Sequence, residues 1–161
     1  MTTVKYDRGE YFIPLIRWND SIMMNFDTGA QHTVISSSLL FRNIDLKKRK
    51  LLEDVLVNKS LQKFRSASGD VIHGVWCLLK DVKLGEIVVP NFYFNLILNA
   101  KRNIALLGND VIAGCNFTHS RGGDIFISAI DSEWQIKLLE RQNVDILELN
   151  SLECELQEME S

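Results

Sequence analysis

The amino-acid sequence predicts a single all-β domain whose strands close into a barrel or pack as a sandwich. A length of 161 residues fits one domain and is enough to bury a sizeable core. Hydrophobic residues make up 46 % of the chain and charged residues 24 %, which is typical of a globular protein. Short apolar and β-branched runs alternate with turn residues, and few segments have helical spacing. This pattern favours a closed or sandwiched β domain.

Apolar runs on either side of polar turns predict the strands of the first 130 residues. The runs 11–16 and 22–26 flank the turn Trp18-Asn19-Asp20, which indicates a hairpin. A second hairpin is expected from 61–67 and 71–79, because a glycine-containing turn joins them. Further short strands are predicted at 33–35, 82–84, 87–89, 92–98, 104–107 and 124–128. Short helical segments are predicted at 36–40, 45–57 and 110–113.

The distribution of charge divides the chain into two parts. Residues 131–161 hold nine acidic and two basic side chains, a net charge of −7, whereas residues 1–130 hold 12 acidic and 16 basic ones, a net charge of +4. We therefore expect a domain over 1–130 and an acidic C-terminal extension over 131–161. Within the extension, an apolar stripe at helical spacing predicts a helix, formed by Leu149, Leu152, Leu156 and Met159. One possibility is that this helix docks on its own barrel. The other is that it pairs with a second copy or folds back near the basic run Lys47-Lys48-Arg49-Lys50.

Composition also excludes several classes of function. A net charge of −3 gives no overall positive field, so a nucleic-acid partner is not expected. No apolar run reaches the length of a membrane span, and the charged first ten residues do not fit a secretory signal. Three widely spaced cysteines fit neither a disulfide framework nor a metal site, so the expected compartment is the cytoplasm. The three histidines form no ligand motif, and we expect no metal and no cofactor.

The segment Phe26-Asp27-Thr28-Gly29-Ala30 places an acid at the end of an apolar strand. A partly desolvated carboxylate needs hydrogen-bond donors, or it takes up a proton. Gly29 allows a tight turn that brings its N–H to the carboxylate, and the Thr28 hydroxyl can fix the turn. Taken alone, Asp-Thr-Gly is more often a plain turn than a catalytic one.

The residues around this tripeptide resemble the active-site loop of the retropepsin-like aspartic proteases. Residues 24–36 read Met-Asn-Phe-Asp-Thr-Gly-Ala-Gln-His-Thr-Val-Ile-Ser, similar to the family pattern apolar-x-apolar-Asp-Thr-Gly-Ala-x-x-Thr-Val-apolar. Residues 65–74 resemble the family's flap hairpin, and residues 81–92 resemble the hairpin after it. Residues 105–112 resemble the strand and short helix behind the catalytic loop. The four motifs follow the family's order between residues 10 and 130.

The resemblance implies a small closed β-barrel of the retropepsin type with one or two short helices, acting as an aspartic endopeptidase. Asp27 would be its catalytic carboxylate, and Thr28, Gly29 and Ala30 would support the loop. Aspartic proteolysis needs two carboxylates, and this sequence has a single Asp-Thr-Gly. A homodimer would supply the second Asp27 across a two-fold axis, with a peptide or protein as substrate.

Two further site features follow from the same resemblance. Leu107 and Gly108 would lie behind the catalytic loop. The flap residues Ala67, Ser68 and Gly69 would contact substrate, although the same residues in isolation favour an ordinary surface hairpin.

Ala30 bears on the pH optimum, since a hydroxyl in its place could donate to the carboxylate and favour the charged form, whereas alanine cannot. The expected rate optimum is therefore weakly acidic to neutral.

A second hypothesis is a catalytically idle relative that keeps the fold as a peptide-binding or dimerisation module. The intact Asp-Thr-Gly favours the enzyme, because an idle module has no use for a carboxylate in a partly desolvated place.

Overall fold

Strands dominate the computed structural model, which describes residues 1–17, 20–65, 69–121 and 123–160. The strands in these ranges are β1 (Thr2–Asp7), β2 (Glu10–Arg17), β3 (Asp20–Phe26), β4 (Val34–Ser36), β5 (Gln62–Arg65), β6 (Val71–Leu84), β7 (Ile87–Ile97), β8 (Ala105–Leu107), β9 (Cys115–His119) and β10 (Ile125–Ile130). The helices in these ranges are α1 (Ser37–Leu40), α2 (Leu46–Ser60), α3 (Asn109–Ile112), α4 (Glu133–Arg141) and α5 (Ile146–Glu160).

Six of the strands form a closed barrel in the order β2-β3-β8-β4-β7-β6. The barrel closes where β6 pairs with β2, in the register Leu15 to Leu84 and Ile16 to Lys83. Closure removes the free strand edges of these six strands, and their inward side chains fill the interior. Val4, Ile13, Val75 and Phe94 are among the core residues with no exposed surface. The predicted all-β barrel with short helices is confirmed.

The hairpin of β6 and β7 is longer than the sequence indicated. We predicted separate strands at 82–84, 87–89 and 92–98, but the ladder runs from the pair Gly74–Ile97 to the pair Leu84–Ile87. The apparent break comes from Pro90, which has no N–H to donate, and from Asp81, whose φ of 55° is unusual in a strand. Pairs on either side of this position keep one register, so the interruption is local.

β1 joins the barrel to an outer sheet. Its second half pairs with β2, and its first half pairs with β10, which in turn pairs with β9. The sequence analysis did not predict β1 or β9. Both are rich in polar residues, and β9 is largely exposed, so neither has a strong apolar alternation.

The strands around residue 27 fix the ends of one loop. β8 pairs in parallel with the end of β3, through Phe26 and Leu107, and antiparallel with the start of β4, through Val34 and Leu106. One short strand therefore lies between the strand that enters residues 27–33 and the strand that leaves them. We call residues 27–33 the Asp27 loop.

The C-terminal segment forms two helices that pack on the barrel. Leu139 of α4 and Leu149, Leu152 and Leu156 of α5 are buried in the same core cluster as the barrel side chains. The predicted apolar stripe is thus the buried face of α5, and the side chain of Met159 lies outside the described part of the chain. Glu153 of α5 also pairs with Arg17 of β2, with 3.7 Å between Oε1 and Nη2.

Within the described ranges, no helix is both long and apolar enough to cross a bilayer.

Replacement of Leu156 by alanine tests the docking of α5. Leu156 has no exposed surface, so Leu156→Ala should lower the free energy of unfolding by about 2–5 kcal/mol. Leu147→Ala is the matched control: Leu147 is 80 % exposed on the same helix, so the change should stay within about 0.5 kcal/mol. Urea unfolding measures both, and equal effects would contradict a docked α5.

Candidate active site

Asp27 lies at the carboxyl end of β3, where the chain leaves the barrel. Its backbone N–H donates to the Leu107 carbonyl at 3.0 Å, which ties the first residue of the loop to β8. Its side chain is half-buried, and its Oδ1 accepts a hydrogen bond from the Gly29 N–H at 2.9 Å. The Ala30 N–H donates to the Asp27 carbonyl at 3.2 Å and closes the turn. One backbone N–H, that of Gly29, thus holds the carboxylate, and two backbone bonds fix the main chain of Asp27.

Gly29 permits a close approach to the acid. A Cβ added at Gly29 would lie 3.2 Å from Asp27 Oδ1, which is tighter than an ordinary van der Waals contact. The Thr28 side chain is exposed and Ala30 is half-buried. A second chain could therefore reach Thr28 without displacing any residue of the core.

Gly108 supports the loop from behind. A Cβ at Gly108 would lie 2.5 Å from both the carbonyl carbon and the carbonyl oxygen of His32, so backbone would have to move to admit any side chain. The next residue, Asn109, donates its N–H to the Ala30 carbonyl at 2.8 Å. Leu107 is fully buried and accepts the Asp27 N–H. The predicted pair Leu107 and Gly108 lies against both ends of the Asp27 loop.

Asp110 is a buried acid whose role the sequence analysis missed. Its Oδ1 accepts hydrogen bonds from the Thr33 N–H at 3.0 Å and from the Thr33 hydroxyl at 2.7 Å. Thr33 Oγ1 also accepts the Gly108 N–H at 3.1 Å. The sequence analysis placed residue 110 in a short helical segment and gave its side chain no role. An acid in a short apolar helix was the available signal, but its partner is 77 residues away.

Burial raises the pKa of the Asp110 carboxyl above its usual range. The hydroxyl and amide donors of Thr33, the charge of His32 and the amide of Gln135 act in the opposite direction and offset part of this shift. Asp110 is therefore a structural acid that needs its donors, as expected for a charge 3 % exposed.

A cleft of about 1150 Å³ opens above the Asp27 loop. Asp27, Gly29 and Ala30 line it together with apolar side chains of the barrel wall, Ile72, Ile97 and Leu106. Lys63, Arg102 and Glu10 bring charges of both signs to its lining. A second groove of about 750 Å³ runs along β1 and β2 and does not include Asp27, so the chemistry points to the larger cleft.

The segment predicted as a flap overlaps the hairpin of β5 and β6. Its strands pair from Gln62–Gly74 to Arg65–Val71, and Lys63 and Ile72 reach the cleft lining. Gly69 is exposed, and its φ of 88° suits a glycine at the turn. Ala67 and Ser68 lie outside the described residues, as does the turn at Trp18 and Asn19. Contact between Ala67, Ser68 or Gly69 and a substrate stays a prediction.

The described residues contain no group of three or more His, Cys, Asp and Glu side chains arranged to hold a metal ion.

Comparison with known proteins gave one kind of match. No protein-family model matches the sequence, and no curated protein matches it. Among solved structures, the chain is similar to the crystal structure of a retropepsin-like aspartic protease from Rickettsia conorii. The TM-score is 0.51 with 19 % sequence identity, over 79 % of this chain and 91 % of that chain.

The chain has the retropepsin fold. At this level of identity the likeness concerns the fold alone, and the site must be argued from its own residues. The overlap leaves about a fifth of this chain without a counterpart in that structure.

The raised pKa of Asp110 predicts how its contribution to stability depends on pH. The folded state holds this proton more tightly than the unfolded chain, so the contribution is largest below the unfolded pKa and falls as pH rises through the folded pKa. The stability advantage of wild type over Asp110→Asn should therefore shrink between pH 4 and neutrality. Urea unfolding of both proteins across this range measures it, and an advantage that grows with pH would show that folding favours the ionised form.

Proposed function

We propose that this protein is an aspartic endopeptidase that acts as a homodimer, with one Asp27 from each subunit. The observation that carries the proposal is the setting of Asp27. Asp27 lies at the end of a barrel strand and lines a cleft of about 1150 Å³. Its carboxylate accepts a hydrogen bond from the Gly29 N–H at 2.9 Å. The retropepsin fold around it supports the same chemistry, since the structural neighbour is described as an aspartic protease.

The need for two carboxylates supports the dimer. The sequence holds one Asp-Thr-Gly, and the other buried acid near the loop, Asp110, is engaged with Thr33. A second Asp27 can come only from a second copy, in an isologous arrangement. Thr28 is exposed beside Asp27, so the Thr28 side chains of two subunits could bond across the axis and align the two loops.

Two carboxylates in contact share one proton, because two negative charges about 3 Å apart repel strongly in a dry site. The ionised member takes a proton from a bound water, whose oxygen attacks the peptide carbonyl carbon. The protonated member gives its proton to the carbonyl oxygen. Collapse of the tetrahedral intermediate breaks the C–N bond: one carboxyl gives its proton to the leaving amine nitrogen, and the other carboxylate takes a proton from a hydroxyl of the intermediate. The pair then again holds one proton. No acyl-enzyme forms.

Ala30 favours a rate optimum that is weakly acidic to neutral. Its N–H is engaged by the Asp27 carbonyl at 3.2 Å, and its methyl side chain offers no donor to the carboxylate. The absence of that donor makes the charged form of the pair less favourable, so a proton is shared up to a higher pH.

We expect an extended peptide as the substrate and the cytoplasm as the compartment. Ile72 and Ile97 supply apolar wall for substrate side chains, and Lys63, Arg102 and Glu10 add charged groups of both signs. The β5–β6 hairpin would cover the bound peptide and exclude water during the reaction, and we expect Ala67, Ser68 and Gly69 to contact the peptide.

Replacement of Asp27 by asparagine tests the catalytic role. Asparagine keeps the size of the side chain but removes the base, so Asp27→Asn should cut a mixed peptide library at least about 10³-fold more slowly than wild type. Asp54→Asn is the matched control: Asp54 is an exposed acid on α2, and its replacement should leave the rate unchanged. Mass spectrometry of the products between pH 3 and 8 gives the rates and the optimum.

Analytical sedimentation of the same proteins, together with the cleavage rates, distinguishes the enzyme hypothesis from the idle-module hypothesis. Wild type and Asp27→Asn should both dimerise. A wild type that dimerises and cuts nothing across this pH range would favour the peptide-binding or dimerisation module, and equal rates for wild type and Asp27→Asn would exclude Asp27 as the catalytic group.

A further inference from the structure

Gln135 is a buried polar residue of the C-terminal extension, on the first turns of α4. Only 4 % of its surface is exposed, so each polar atom of its side chain needs a partner. Its amide has two N–H donors and one carbonyl acceptor, and the structure uses all three. The partners lie on β7 and on α3, at the back of the barrel.

Two of the bonds join Gln135 to the backbone of Tyr93. The Tyr93 N–H donates to Gln135 Oε1 at 3.1 Å, and Gln135 Nε2 donates to the Tyr93 carbonyl at 2.9 Å. β4 covers this edge of β7 from Asn95 to Ile97 only. The side chain of Gln135 therefore continues the pairing of that edge beyond the end of β4 and is held in one orientation.

The remaining donor points to Asp110. Gln135 Nε2 lies 3.4 Å from Asp110 Oδ2, whereas both bonds from Thr33 go to Oδ1. Gln135 is thus the donor to the second oxygen of a carboxylate that is 3 % exposed. A buried carboxylate oxygen that loses its donor raises the cost of the charged form and draws the group toward protonation or a new position.

Asp110 connects this contact to the Asp27 loop. Thr33 is the last residue of the loop, and Asp110 holds both its N–H and its hydroxyl. The Thr33 hydroxyl in turn accepts the Gly108 N–H, and Gly108 lies against the backbone of His32. Movement of Asp110 would therefore move the far end of the loop that carries Asp27.

We propose that Gln135 is a positioning residue for the Asp27 loop, and that α4 supports the active site through Asp110 and Thr33. The effect on loop geometry stands on the contacts alone, and its effect on catalysis rests on the proposed endopeptidase function. The C-terminal extension is then part of the active-site support as well as a cover for the barrel.

The test compares Gln135→Met with Leu139→Ala. Methionine keeps the length of the side chain but donates no hydrogen bond. Leu139, one turn further along α4 and 2 % exposed, is the matched control, because its apolar side chain contributes packing of α4 but no donor to Asp110. Gln135→Glu is a second variant, which keeps an acceptor for the Tyr93 N–H and removes the Nε2 donor.

Three measurements report on Asp110, on the Asp27 loop and on catalysis. The Asp110 carboxyl, observed by carbon NMR, should titrate at a higher pH in both Gln135 variants. The amide signals of Thr33, Gly108 and Gly29 should shift in these variants and stay in place in Leu139→Ala. Peptide cleavage should show a fall in kcat of about tenfold or more with KM changed less than about twofold, since misplaced reacting groups slow the chemical step.

The outcomes separate this proposal from the proposed function. If the wild-type protein has no peptidase activity and the Gln135 variants still shift the Thr33 and Gly29 signals, the positioning role is supported and the endopeptidase is overturned. Unchanged loop signals and an unchanged Asp110 titration in the Gln135 variants would overturn the positioning role, whatever the activity. Equal effects of Leu139→Ala and Gln135→Met on kcat, or failure of both Gln135 variants to fold, would show that Gln135 acts only through stability.

Discussion

The close approach of Gly108 to the backbone of His32 is the constraint on which the site depends. A Cβ at this position would meet His32 backbone atoms at 2.5 Å, so only glycine lets β8 and α3 lie directly against the Asp27 loop. That contact allows the bonds from Asp27 to Leu107 and from Asn109 to Ala30. The loop is thus braced along its length by segments that follow it by about 80 residues, and Asp27 has a fixed place at the end of its strand.

The bracing combines two kinds of interaction. Strand pairing places β8 between β3 and β4, which sets the backbone of the loop at both ends. Behind it, Thr33, Asp110 and Gln135 form a buried polar network whose carboxylate raises the cost of any lost donor. Small displacements in such a network break buried hydrogen bonds and cost free energy. The network can therefore hold a reacting group within a narrow range of positions. The same network brings the C-terminal segment into contact with the barrel at a point that matters for the loop.

Local patterns were enough to predict much of this arrangement. The β2–β3 hairpin, the strand before Gly108 and the apolar stripe of α5 each carry their signal within a few residues, and the structure has all of them. The sequence analysis did not predict β1 and β9 because their side chains are mostly polar. It did not predict α4 because a helix of nine residues holds only a short apolar stripe. The Asp110 network was not predicted because its partners lie 77 and 25 residues away in the sequence. Local sequence patterns do not indicate which distant polar groups will meet in the core.

The dimer is the central claim, because one chain supplies only half of the proposed catalytic pair. Mixing wild-type chains with Asp27→Asn chains tests it most directly, at a concentration where dimers dominate and subunits exchange. If each site needs both Asp27 carboxylates, an equal mixture should retain about half the peptide-cleaving activity per wild-type chain, since half of those chains then sit in mixed dimers. Activity per wild-type chain that stays constant at every mixing ratio would contradict a shared site.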